Sequence, residues 1–242
     1  MKCFISAQEL EALGEGLSRD YIGKTNRWDA MCFDIEGFII DYLGLTIRYE
    51  SFAEKDTSKI GFLANGVAPL LVFRNKVPTP IVFPKGTIVI EKNLQREQES
   101  SRRRFTLAHE AAHKILENHI SAQAVPCFHS DFDKEADYTK EDLQRLFSFT
   151  ETYANRLGAS ILMSQCLIAK ALEKYNNGQL LRIYNGEILT KEEKIKIQKM
   201  ADCLGVSFPA LFIRLRDLNL FEHRPMDEYV RDILRLGGGA LC

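Results

Sequence analysis

His109, Glu110 and His113 stand in the stretch RRRFTLAHEAAHKIL, Arg102 to Leu116, and their types and spacing suit hydrolytic metal chemistry. On a helix, two histidines four residues apart place their rings on one face and can share a metal ion. Glu110 is one position on, close enough to take the proton of a water bound to that metal. The surrounding residues favour a helix. Phe105, Ala108, Ala112, Ile115 and Leu116 recur at helical spacing, Ser101 is the expected N-cap, and no glycine or proline falls between 102 and 118. The alternative is three polar residues on an exposed helix face.

A zinc hydrolase needs a third protein ligand and an open position for water. Glu151 is the candidate. In FSFTETYANRLGASILM it lies on the stripe formed by Phe147, Ala154, Gly158 and Ile161. A lone carboxylate on an apolar face is costly unless it is paired or bound to a metal. The alternative is a buried salt bridge to Arg104 or Arg156. Glu117, Glu135 and Glu141 sit among charged neighbours and are weaker candidates. Cys127-Phe128-His129 fits no common metal spacing, and His119 reads as a surface residue or cap.

The elements that must position these groups can be read in outline. Residues 1–30 form a weakly patterned N-terminal extension, in which Gly14, Gly16 and Gly23 interrupt a short helix. Asp34 starts a helix ending at Gly44. LTIRYESF alternates as a strand does, and Asn65-Gly66 between apolar runs predicts a hairpin. Pro78, Pro80 and Pro84 predict irregular chain, and TIVIE, Thr87 to Glu91, a strand. From Ser101 onward the chain reads as helical, with an irregular insert at 119–139. Helices are expected over about 140–163 and 164–175, then a small hairpin at Asn185-Gly186. Two helices flank Gly205, and a last one spans about 226–236. The fold class is therefore α+β: a small twisted N-terminal sheet packed on the HExxH helix, followed by a helical C-terminal half. The metal-binding core is placed at 31–176 and a helical region at 177–242.

Within that region, KIQKMADCLGVSFPALFIRLRDL has the spacing of a helix-turn-helix, residues 190–218. The positions that would meet bases are Ser207, Phe208, Pro209, Phe212 and Ile213, mostly apolar, whereas base edges need Arg, Asn, Gln or Lys. Arg214 and Arg216 are the groups available for phosphate. The pair therefore reads as a module that packs on the rest or grips a protein, ahead of one that binds DNA.

Composition narrows the classes further. The 242 residues carry a formal net charge of -1, so no overall positive field draws the chain to nucleic acid or an anionic membrane. No stretch approaches a membrane span. Six cysteines without a CxxC pair, and no secretory signal at the N-terminus, predict reduced thiols in a cytoplasmic protein.

SRRRFTLAHEAAHKIL, followed by ETYANRLGASILM and preceded by TIVIE, resembles the ImmA/IrrE family of zinc metallopeptidases. The resemblance is strong over about 87–163, weaker over 34–64 and slight before that. It implies His109 and His113 as metal ligands, Glu151 as the acidic ligand, Glu110 as the catalytic glutamate and one zinc ion per chain. Ala112 stands where the family often has Gly, and Ser164 where Pro is usual. The family's usual substrates are helix-turn-helix repressors of mobile elements or stress responses. The expected activity is thus a zinc endopeptidase whose substrate lies extended along Thr87, Ile88, Val89 and Ile90 as an added strand. The alternatives are a partner-binding module that does not cleave, and a DNA-binding regulator using residues 190–218.

Overall fold

The computed structural model describes residues 5–117, 128–130 and 149–237. It is a mixed α+β chain with small sheets and a helical C-terminal half, and His109 and His113 lie in a helix. It divides into two compact units, Met1–Ser164 and Gln165–Cys242.

In the first unit, α1 spans Ala7–Lys24 and runs through Gly14 and Gly16 without a break. A capping box starts it: Glu9 N–H donates to Ser6 Oγ at 3.1 Å, and Ser6 N–H donates to the Glu9 carboxylate at 2.9 Å. Gly14 is in the helix because of what it faces. A Cβ there would stand 2.6 Å from Ser160 Cβ, so its absence lets α1 lie against the helix Phe149–Leu162 (α4). The expected interruption is instead a close helix crossing. Asp34 caps the next helix, accepting from Gly37 N–H at 3.0 Å. That helix, α2 (Ile35–Gly37), continues as a π-helical turn over Phe38–Tyr42.

The main sheet has the order β1-β5-β2-β6, with β1 Thr46–Glu50, β2 Lys59–Leu63, β5 Thr87–Glu91 and β6 Phe128–Ser130. β5 is central, parallel to β1 and antiparallel to β2. Its side chains alternate between two covered faces. Val89 joins Phe62, Ala64, Leu70, Val72 and Phe83 in one apolar cluster. Ile88 and Ile90 take the other face, toward α3 (Ser100–Glu117), and are equally buried.

Two turn expectations are corrected. Asn65-Gly66 does not join a hairpin: the Asn65 side chain accepts from Val67 and Ala68 N–H, and the chain leaves the main sheet there. The hairpin lies further on, where β3 (Pro69–Arg74) pairs with β4 (Val77–Val82) through Asn75 and Lys76, both at positive φ. Pro78 and Pro80 are in strand, not irregular chain. They face Phe73 and Leu71, the alternate positions whose N–H would point away from β3, so the ladder loses no donor.

Ser101 is not the cap of α3. A 3-10 turn, Glu97–Glu99, runs straight into the helix, and Ser100 N–H donates to Glu97 O. The three arginines tie this end to its surroundings. Arg102 lies 3.7 Å from Glu99, Arg103 donates to the carbonyls of Leu94 and Gln95, and Arg104 donates to Phe33 O at 2.6 Å.

The second unit contains α5 (Gln165–Asn176), α6 (Lys191–Leu204), α7 (Phe208–Asp217) and α8 (Met226–Gly237). Thr190 caps α6, Gly205 ends it at φ 68°, and Ser207 caps α7. The Asn185-Gly186 turn closes only one antiparallel bridge, Tyr184 to Ile188. β7 (Leu181–Tyr184) pairs instead with β8 (Phe221–Arg224), in parallel. No helix among the described residues is long and apolar enough to cross a membrane.

Candidate metal centre

Every residue of α3 from Thr106 to His113 is buried. An exposed polar face is therefore excluded for His109 and Glu110, both wholly inaccessible. The reason is packing on two sides: α4 crosses one flank of α3, and the main sheet covers the other.

His109 and His113 bring their Nε2 atoms to 2.9 Å from each other. Glu151 of α4 completes the group, with carboxylate oxygens 3.3 Å from His109 Nε2 and 3.2 Å from His113 Nε2. Neither Arg104 nor Arg156 is its partner in these contacts. All three donor atoms lie within 4.8 Å of one another. A tetrahedral zinc with bonds of about 2.0–2.1 Å separates its ligand atoms by about 3.3 Å. The observed spacings fit that ion, and two nitrogens and one carboxylate are a donor set that zinc accepts.

Burial pushes the His109 pKa down, against the opposing pull of Glu151, and so favours the neutral ring, the form that binds a metal. Burial acts on Glu151 in the opposite sense. The hydrogen bonds from His109 and His113 outweigh it and hold the carboxyl well below the usual carboxylate range. Glu110 is raised well above that range, by burial first and then by the Glu151 charge. No hydrogen bond in ordinary geometry reaches either of its oxygens among the described residues. A cation held beside it would favour its charged form.

Three residues to which the sequence reading assigns no role, or only a packing role, shape the centre. Asn155 Oδ1 lies 2.9 Å from His109 Nδ1. Gly61 of β2 leaves the space that the Glu110 carboxylate fills: a Cβ at 61 would stand 2.5 Å from Glu110 Oε1. Gly158 lets α4 approach α3, since a Cβ there would meet the Ala108 carbonyl carbon at 3.1 Å. The signal for Gly61 was present, as a glycine inside a strand marks a close approach.

The expected substrate strand is corrected. Thr87, Ile88, Val89 and Ile90 are buried, and β5 is paired on both sides, so its main chain offers no free edge for an added strand. Arg214 is also not a surface cation: it is 6% exposed, whereas Arg216 is exposed. Cys127, His119 and most of the 119–139 insert fall outside the described residues, as does the His129 side chain.

The profile of the peptidase family described as the IrrE N-terminal-like domain matches residues 40–216. A comparison with curated proteins finds no match.

Proposed function

The chain belongs to the peptidase family of the IrrE N-terminal-like domain, and from that premise we propose that it is a zinc-dependent endopeptidase. One observation carries the reading: His109, His113 and Glu151 converge at 2.9 to 3.3 Å, with Glu110 buried on the helix of the two histidines. When bound there, zinc would supply Lewis acidity toward water and the scissile carbonyl. The protein's own part is proton handling and placement. Glu110 takes the proton of the attacking water and passes it to the leaving amine. Glu110 is wholly buried, which keeps bulk water from competing for that proton. Gly61 keeps the carboxylate in its slot beside the ligands.

The substrate we propose is a cytoplasmic protein, such as a helix-turn-helix repressor of a mobile element or a stress response. The 190–218 pair supports a protein partner over DNA. An open groove of about 560 Å³ there is lined by Leu189, Ile195, Phe208 and Phe212 together with Lys191, Lys194, Glu187 and Gln198. The burial of Arg214 removes one of the two cations that a phosphate contact would use. A partner-binding module without cleavage would have no need of Glu110.

The deciding experiment measures zinc content and repressor cleavage together, in wild type and in Glu110→Gln. The expected result is stoichiometric zinc in both and cleavage of a co-expressed repressor by wild type alone. Absence of zinc, or equal cleavage by the variant, would overturn the proposal.

A further inference from the structure

The groove of the second unit is built from two helix faces. Lys191, Lys194, Ile195 and Gln198 of α6 recur at i, i+3, i+4 and i+7, so they share one side of that helix. Phe208 and Phe212 of α7 line the groove one turn apart. Their rings are parallel to within 8°, with centroids 6.3 Å apart, and make a flat aromatic wall. The core-facing residues of α6 are others, Ile197, Met200, Ala201 and Leu204. Ile195 is 45% exposed, an apolar side chain that the unit itself leaves uncovered.

The charge of the groove is mainly of one sign. Lys191 and Lys194 stand at the start of α6, where the helix macrodipole is itself positive. Neither makes an ion pair among the described residues. Glu193, between them, is turned inward: it accepts from Lys196 Nζ at 2.7 Å and from Arg182 N–H at 3.2 Å. Two cations on one helical turn at the positive end of a helix cost stability unless an anion meets them.

We propose that this groove docks an acidic amphipathic helix of a partner protein. Two apolar side chains one turn apart lie against Ile195 and the Phe208–Phe212 wall, and a carboxylate of the same helix sits beside Lys191 and Lys194. The proposal rests on the reading of the 190–218 pair as a protein-gripping module and not on the metal centre. A helix is the form that fits, because the lining comes from two helices and a turn and offers no strand edge for main-chain pairing. DNA is the poorer occupant. Its phosphates would meet Glu187 as well as the lysines, and its base edges would meet aromatic rings that offer no hydrogen bond.

The test uses the full chain and fluorescence anisotropy. The probe is a labelled, stapled helical peptide with leucines at i and i+4 and glutamates between them. Its counterpart with lysines in place of the glutamates is the control, and a labelled DNA duplex is the competing class. Wild type should bind the acidic peptide at least ~10-fold more tightly than the basic one. Lys191→Glu with Lys194→Glu should reverse that order. Ile195→Ala should weaken the acidic peptide at least ~5-fold. Lys199→Glu, exposed on the same helix but outside the lining, should change neither. All four positions are exposed, so the variants keep the core, and circular dichroism checks this. Equal binding of the two peptides, or an order that survives the reversal, would overturn the proposal. So would binding of the duplex in preference to the acidic peptide, or self-association in sedimentation that the reversal abolishes. Peptide binding should be the same before and after chelation, and its loss on chelation would place the peptide at the metal centre and refute the groove. Failure of the groove leaves zinc content and Glu110-dependent cleavage untouched, so the two readings fall separately.

Discussion

Glu110 Oε1 occupies the room that a side chain on Gly61 would need, 2.5 Å from where its Cβ would stand. The strand and the HExxH helix are thus fitted at a single missing methyl group. Gly61→Ala would meet Glu110 Oε1 and, at 2.7 Å, Thr106 Cγ2. Overpacking of this kind costs about 1–3 kcal/mol. The expected outcome is a lower denaturation midpoint and at least ~10-fold slower proteolysis, consistent with a displaced proton carrier. Zinc content should be retained, because the atoms nearest a Cβ at 61 belong to Glu110 and Thr106 and not to the three donor residues. Unchanged kinetics in a folded Gly61→Ala protein would contradict this fit.

Glu110→Gln keeps nearly the same shape and removes the proton acceptor. Loss of a general base lowers turnover by about 10²- to 10⁴-fold. Zinc binding should stay close to wild type, as Glu110 is not among the three donors. Single-turnover cleavage assays together with metal analysis separate the two effects.

Glu151→Ala removes the carboxylate from between the two histidines. Zinc-dependent stabilisation should go with it. A ligand at 100 times its dissociation constant adds about 2.7 kcal/mol to stability. Wild type should therefore melt at a lower temperature after chelation, and the variant should show no such shift. A chelator-induced shift of equal size in both proteins would place the metal elsewhere.

Gly158→Val tests the approach of α4 to α3. Its Cβ would press on main-chain atoms of Ala108 and His109, at 3.1 to 3.2 Å, which cannot swing aside as a flexible side chain does. The two helices must separate, carrying Glu151 away from the histidines. Zinc affinity should fall although no ligand is changed, and chelator competition would show it. Retained affinity would mean that the helices absorb the strain without moving the site.

Far from the site, Tyr42 Oη donates to Asp20 Oδ2 at 2.5 Å, linking the π-helical turn to α1. That hydrogen bond, with burial second, pushes the tyrosine pKa up to about 12. An unfolded tyrosine titrates near ~10. Because the folded value is the higher one, the contact's contribution is fully present below pH ~10 and is lost as pH rises toward 12. Urea midpoints measured from pH 9 upward should fall more steeply in wild type than in Tyr42→Phe.

Much of the site was legible because helical geometry is local. Four residues bring two rings to one face wherever an α-helix forms, so His109, Glu110 and His113 could be named without tertiary information. Glu151 was legible for an energetic reason, as a carboxylate on an otherwise apolar stripe. The α1 helix was obscured by Gly14 and Gly16, whose cost in helix propensity is visible in sequence while the Ser160 contact that favours Gly14 is not. Strand pairing was obscured for a related reason. Asn65-Gly66 and Asn75-Lys76 both turn the chain, but only the second joins strands that pair with each other.

The sequence by itself determined the residue types of the candidate site, the helical register that groups His109, Glu110 and His113, and the family to which the chain belongs. These follow from residue identity and short-range periodicity. Only the tertiary structure decided that Glu151 reaches both imidazoles, that Asn155 meets His109 and that Gly61 makes room for Glu110. It also decided that Thr87 to Ile90 form a covered central strand and not an open edge. Each of these depends on elements distant in the chain, whose approach is set by the packing of whole helices and strands and not by any local preference.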